Sequence, residues 1–174
     1  MLTFSAAAGG VSVSGGARRV SVFSKGKEDD VHLLAAPEEQ PSGNTISWPG
    51  EYDVAGITLR GVGHEEGQQV SWLAVIDGVR CAFPSSPLRD WTDAEIEALG
   101  DVDILLLPAE EPKAAQKLID EVDPRVLILI DGKNGKIHDD VVKHCGAQGK
   151  VTVAEYKQKG SFPAEGREVV VLSA

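Results

Sequence analysis

What the chain lacks narrows it first. It has two cysteines in 174 residues. Cys81 and Cys145 lie far apart, each inside an apolar pattern, and read as buried reduced thiols, neither a disulfide pair nor a reactive nucleophile. No apolar run approaches the roughly 18 residues that a membrane span needs. The opening "MLTFSAAAGG" has neither the positive start nor the long apolar stretch of a signal peptide, so a cytoplasmic location is expected. Clustered Lys and Arg are also missing. With 27 acidic against 17 basic residues the net charge is −10, a surface that repels phosphate backbones and argues against a nucleic-acid partner. There is no internal repeat and no flexible linker, and the length suits one domain over residues 1–174.

What is present points to sheets. Apolar residues make up 42% of the chain and glycine occurs 19 times, as expected of a compact β-rich or α/β protein with many tight turns. "LTFSA", "GVSVSG" and "RRVSVFS" alternate apolar with polar residues between Gly-Gly pairs, which predicts a β-meander. "DVHLLAA" predicts a fourth strand, followed by the polar loop "PEEQPSGN", then "TISW", a turn at "PGEY", and the strand "GITLRGV". In "VSWLAVIDGVRCAF" two strands flank Asp77-Gly78, a pair suited to the positive φ angles of a type I′ hairpin. Val70, Trp72, Ala74 and Ile76 fall on one face of the first strand, with Ser71, Leu73 and Val75 on the other. Both faces are largely apolar, which predicts a central strand.

Helix and strand then alternate. "WTDAEIEALG" opens with a Thr92–Glu95 capping box and closes on Gly100. "VDILLLP" and "RVLILI" are continuous apolar strands. "EPKAAQKLIDEV" places Pro112 in a first turn and gathers Ala115, Leu118 and Ile119 on one side. "HDDVVKHCG" predicts a short helix, and "KVTVAEY" and "REVVVLS" predict closing strands. A meander followed by strand–helix alternation implies two sheets with helices outside.

Five stretches occur in a recognisable order: "ISWPGEYDVAGITLRGVGH", "VIDGVRCAF", "EIEALGDVDILLLPA", "DEVDPRVLILI" and "FPAEGREVVVLS". Together they resemble the small bacterial, lactonase-like metal-dependent hydrolases of the metallo-β-lactamase superfamily, over nearly the whole chain. The resemblance implies an α/β fold of the αββα sandwich type, two mixed β-sheets face to face and flanked by helices. It also implies a metal-hydrolase site at one edge of the sandwich.

That family's ligand set is not intact here. Its His-x-His-x-Asp-His loop corresponds to "HLLAAPEEQPSG", where Ala36, Pro37, Glu38, Glu39 and Gln40 offer no imidazole, and His32 lies earlier, inside the strand. His64 matches the family's histidine after "GITLRGV". Ser85 stands in the region of the bridging aspartate, and Asp131 at the place of the last histidine. The resemblance thus leaves a vestigial site edge of His64, Glu38, Ala36, Gln40, Ser85 and Asp131. A two-metal hydrolase needs cations roughly 3.5–4 Å apart, each with several ligands. A four-ligand structural zinc site contributes about 10–16 kcal/mol. Shared equally, one imidazole supplies about 3–4 kcal/mol, an affinity no better than about millimolar. Without a well-held metal no bound water becomes a hydroxide near neutral pH.

The other candidate motifs have plain readings. Asp140 and His144 share a helix face beside His138, Lys143 and Cys145, a pattern that predicts a solvated salt-bridging face. "DGKNGK" lacks the spacing and hydroxyl of a phosphate loop, and "GGVSVSGG" is followed by no helix. Ser85-Ser86 has no flanking base. Trp48, Trp72 and Trp91 read as core or edge packing, with Trp48 beside the old cleft.

The expectation is therefore a catalytically inactive, metal-free homologue with no catalytic residue and no cofactor. Its role would be binding or structural, through the former active-site edge, an oligomer or a protein partner. The sequence names no small-molecule ligand. One rival is a metal-dependent ester or lactone hydrolase holding zinc or another divalent ion on His64, Asp131 and Glu38. Another is a subunit that pairs with an active relative.

Overall fold

The computed structural model describes residues 1–16, 18–41 and 43–174. The first sheet comprises β1 (Leu2–Ala7), β2 (Gly10–Gly15), β3 (Arg18–Val22), β4 (Val31–Leu33), β5 (Thr45–Ile46) and β12 (Glu155–Gln158), in the order β12-β1-β2-β3-β4-β5. The second holds β6 (Gly50–Val54), β7 (Ile57–His64), β8 (Gln69–Ile76), β9 (Val79–Phe83), β10 (Ile104–Pro108), β11 (Val126–Ile130) and β13 (Glu168–Val171), in the order β13-β11-β10-β9-β8-β7-β6. Both sheets are mixed. Antiparallel meanders supply β1–β3 and β6–β9, whereas β9, β10, β11 and β13 run parallel.

The sheets stack over one apolar core. Phe4, Val13, Val22 and Leu33 of the first sheet meet Leu59, Trp72, Cys81, Ile104, Leu106 and Ile128 of the second. Leu105, Leu107, Leu127 and Leu129 point the other way and receive α1 (Asp93–Leu99), α2 (Pro112–Val122) and α3 (Asp139–His144) through Leu99, Ala115, Leu118, Ile119 and Val141. This explains "ILLLP" and "VLILI": a strand covered on both faces has no polar position to spare.

The expected sandwich is thus present, with one refinement. Among the described residues all three helices lie on the outer face of the seven-stranded sheet. Outward positions of the first sheet carry small polar side chains such as Ser12 and Ser14 on β2, partly exposed, so that face can meet water without a helix. Gly50–Val54, read from sequence as a turn and its flank, is the edge strand β6, and Ala55-Gly56 makes the tight turn into β7, both with positive φ. The stretch read as "KVTVAEY" is shorter than expected, with β12 confined to Glu155–Gln158 and Val153 in an isolated bridge to Leu172. Among the described residues no helix is long and apolar enough to cross a membrane.

Candidate functional site

β7, β9, β10, β11 and β13 all end at one edge of the sandwich, the edge at which open α/β sheets gather ligands. His64 is the last residue of β7 and is 3% exposed. One ring nitrogen, Nδ1, bonds the Glu95 carboxylate; the other, Nε2, lies 2.9 Å from Ser71 Oγ. Trp91 packs edge-on against the ring at a centroid distance of 4.5 Å. The start of α1 therefore closes over the imidazole. His64 is a buried strand-end histidine, where the sequence offered a turn histidine or a ligand.

The contacts continue inward. Ser71 Oγ accepts the backbone N–H of Ser85 at 2.9 Å and lies 3.2 Å from Ser85 Oγ. The Gln69 amide donates to Ser85 Oγ at 2.9 Å and to the Pro87 carbonyl at 3.0 Å. Arg89 donates to Gln69 Oε1 and to Glu65, carrying the network to the surface. Proton counting fixes the directions. With Ser85 Oγ receiving from Gln69, its hydroxyl donates to Ser71, Ser71 donates to His64 Nε2, and Nδ1–H donates to Glu95. Every buried proton then has an acceptor, as buried polar groups require. The reverse order strands the Ser85 hydroxyl proton.

Glu95 serves two elements at once. Its Oε1 accepts Thr92 N–H at 2.8 Å in the predicted capping box, and its Oε2 takes His64. Partial burial alone would raise this carboxyl, but the Thr92 N–H and the His64 ring outweigh it and hold it below the usual carboxylate range. The order Glu95–His64–Ser71 has the roles of a nucleophile triad. Ser71, however, is 0% and Ser85 1% exposed, so no substrate carbonyl reaches either hydroxyl.

The remaining predicted positions do not join His64. Val70 N–H donates to the Ala35 carbonyl at 2.8 Å and the Trp72 indole to the Leu34 carbonyl at 2.8 Å, so β8 pins the start of the loop that follows β4. Ala36, Glu38 and Gln40 beyond it are exposed. Glu38 is held by its backbone, through Ser47 Oγ and the indole of Trp48, which is itself 53% exposed. His32 bonds the Lys27 carbonyl. Asp131 meets Ser173, whose hydroxyl lies 3.0 and 3.1 Å from its two oxygens. His138 caps α3 by accepting Asp140 N–H, and among the described residues Asp140 and His144 form no ion pair; that face is not salt-bridged as expected.

These donors do not fit a metal ion. His64 has no free nitrogen, and among the described residues no three His, Cys, Asp or Glu side chains are grouped to hold one. Sequence reading missed Ser71, Gln69 and Glu110. A serine in the doubly apolar run "VSWLAVI" is the signal that could have found Ser71, since a buried hydroxyl needs a partner. Glu110, just past β10, accepts Ser86 Oγ–H, Leu88 N–H and Lys133 N–H, each at 2.6 Å, and ties the loop after β9 to the loop after β11.

Those loops wall a cavity of about 480 Å³ at the same edge, closed on its other side by the β1–β2 hairpin. Gly10 lets that hairpin sit close, since a Cβ there would stand 1.9 Å from the Val22 carbonyl oxygen.

No protein-family profile and no curated sequence matches the chain. Among solved structures it is similar to a Thermotoga maritima protein assigned to the Zn-dependent hydrolases of the metallo-β-lactamase superfamily. That likeness has a TM-score of 0.79 and 19% identity and covers 99% of each chain. At this identity the likeness speaks to architecture: the chain has the metallo-β-lactamase fold.

Proposed function

We propose that this chain is a catalytically inactive, metal-free form of that fold whose role is to bind at the former active-site edge. One observation carries the reading: both nitrogens of His64 are spent on protein partners inside a buried network. A ligand nitrogen needs a free lone pair and an open approach. Freeing Nε2 here would strand the Ser71 hydroxyl, and freeing Nδ1 would strand the Glu95 carboxylate, each costing about 1–3 kcal/mol. A lone imidazole recovers little more than that from zinc. The side chains that do join it, Ser71, Ser85 and Gln69, are poor donors for a hydrolytic ion.

The hydrogen-bonded network takes over a structural task in this reading. It joins β7, β8, the loop after β9 and α1. Elemental analysis of protein purified without chelator tests the proposal, alongside an ester and lactone hydrolysis panel. The expected result is far less than one ion per chain and no turnover above buffer. One or two retained ions, lost in His64→Ala together with turnover, would establish the rival hydrolase.

A further inference from the structure

We propose that the cavity at this edge binds a small zwitterion, an α-amino acid with an apolar side chain, its ammonium on Asp131 and its carboxylate near Lys133. The inference rests on the metal-free binding reading above and names the chemistry of its ligand. Among the described residues five carboxylates are buried or partly buried: Asp30, Glu95, Asp103, Glu110 and Asp131. Four of them have two or more donors each. Asp30 accepts from Ser21 and Lys27 N–H, Glu95 from Thr92 and His64, Asp103 from the backbone and guanidinium of Arg80, and Glu110 from three donors. Among the described residues Asp131 has only the single proton of Ser173 to share between its two oxygens.

A carboxylate offers about four acceptor sites, and Asp131 lines the cavity. Among the described residues no cation pairs with it. Lys133, two residues on and lining the same cavity, has no ion-pair partner among them either. Glu110 fixes the Lys133 backbone, so this pair of opposite charges sits on a held loop. Around it Ala6, Ala7, Pro87, Ile130 and Leu172 offer apolar wall. A volume of about 480 Å³ falls within the ordinary range for small-molecule sites, about 300–1,000 Å³.

Calorimetry on the full chain, dialysed against chelator, tests this with three probes of one carbon skeleton. L-leucine carries both charges, leucinamide only the ammonium, and 4-methylpentanoate only the carboxylate. Leucine is expected to bind, with each analogue weaker by about tenfold or more, the worth of one charge-assisted hydrogen bond. Asp131→Asn, which keeps a carbonyl for Ser173, should weaken leucine by about the same factor. Lys133→Met should weaken leucine but leave leucinamide unchanged. No binding of leucine at millimolar concentration, equal binding of 4-methylpentanoate, or unaltered binding by Asp131→Asn would each overturn the assignment. A metal-free protein that ignores leucine sinks the ligand alone. A protein that retains metal and turns over esters sinks the underlying reading.

Discussion

At the scale of single residues, His64 holds the buried edge together through Glu95 and Ser71. Replacing it with alanine leaves Ser71 and Glu95 facing a buried void, so His64→Ala should lose about 2–4 kcal/mol in denaturant unfolding. The metal-ligand alternative ties that loss to zinc concentration; here the same loss is expected with and without chelator. Glu95 sets a pH dependence. Its carboxyl is lowered in the folded state, so the unfolded chain binds that proton more readily. The stabilisation is complete above the unfolded value of about 4.3 and disappears as pH falls through the lower folded value. Glu95→Gln should therefore be less stable than the parent at neutral pH, with the gap closing below about pH 4. A gap that stays constant down the acid limb would contradict the assignment. Cys81, which burial pushes well above the usual thiol range, should resist thiol reagents until the chain unfolds.

At the scale of elements, two glycines of different kinds give a direct comparison. Gly78 completes the Asp77-Gly78 turn with φ of 77° and open space around it, so alanine there meets only backbone strain. Gly78→Ala should cost about 1 kcal/mol. Gly10→Ala should cost more, because its methyl collides with the backbone of β3 and must open the hairpin that walls the cavity. Equal losses in thermal unfolding would mean that the hairpin is looser than the structure has it. The β8–β9 hairpin, the α1 capping box and the doubly buried strands were legible in the sequence because each follows from local spacing. The edge strand β6 was not, since "PGEY" carries turn residues and its strand state comes from pairing with β7. The solvated outer face of the first sheet was equally hidden, because no local pattern says how many helices a sheet will attract.

At the scale of the whole molecule, the two mixed sheets and the shared edge followed from the order of elements and the family resemblance. The site divided differently. His64 and Ser85 do meet, through Ser71, whereas Glu38, Ala36 and Gln40 lie on an exposed loop and Asp131 faces the cavity. Spacing locates candidate ligands but does not show what a side chain already holds, and Glu95 reaches His64 across 31 positions of sequence. Under the metal-free proposal the chain should melt at the same temperature, within about a degree, with or without chelator, since that proposal leaves no metal term of about 10–16 kcal/mol to remove.

The most direct measurement is long-range ¹H–¹⁵N NMR of the His64 ring during zinc titration. The buried network predicts an Nδ1–H tautomer, bonded to Glu95 and Ser71, whose ring-nitrogen shifts do not move at stoichiometric zinc. A shift of either nitrogen at one equivalent would show that the ring is free to coordinate an ion and would contradict the metal-free proposal.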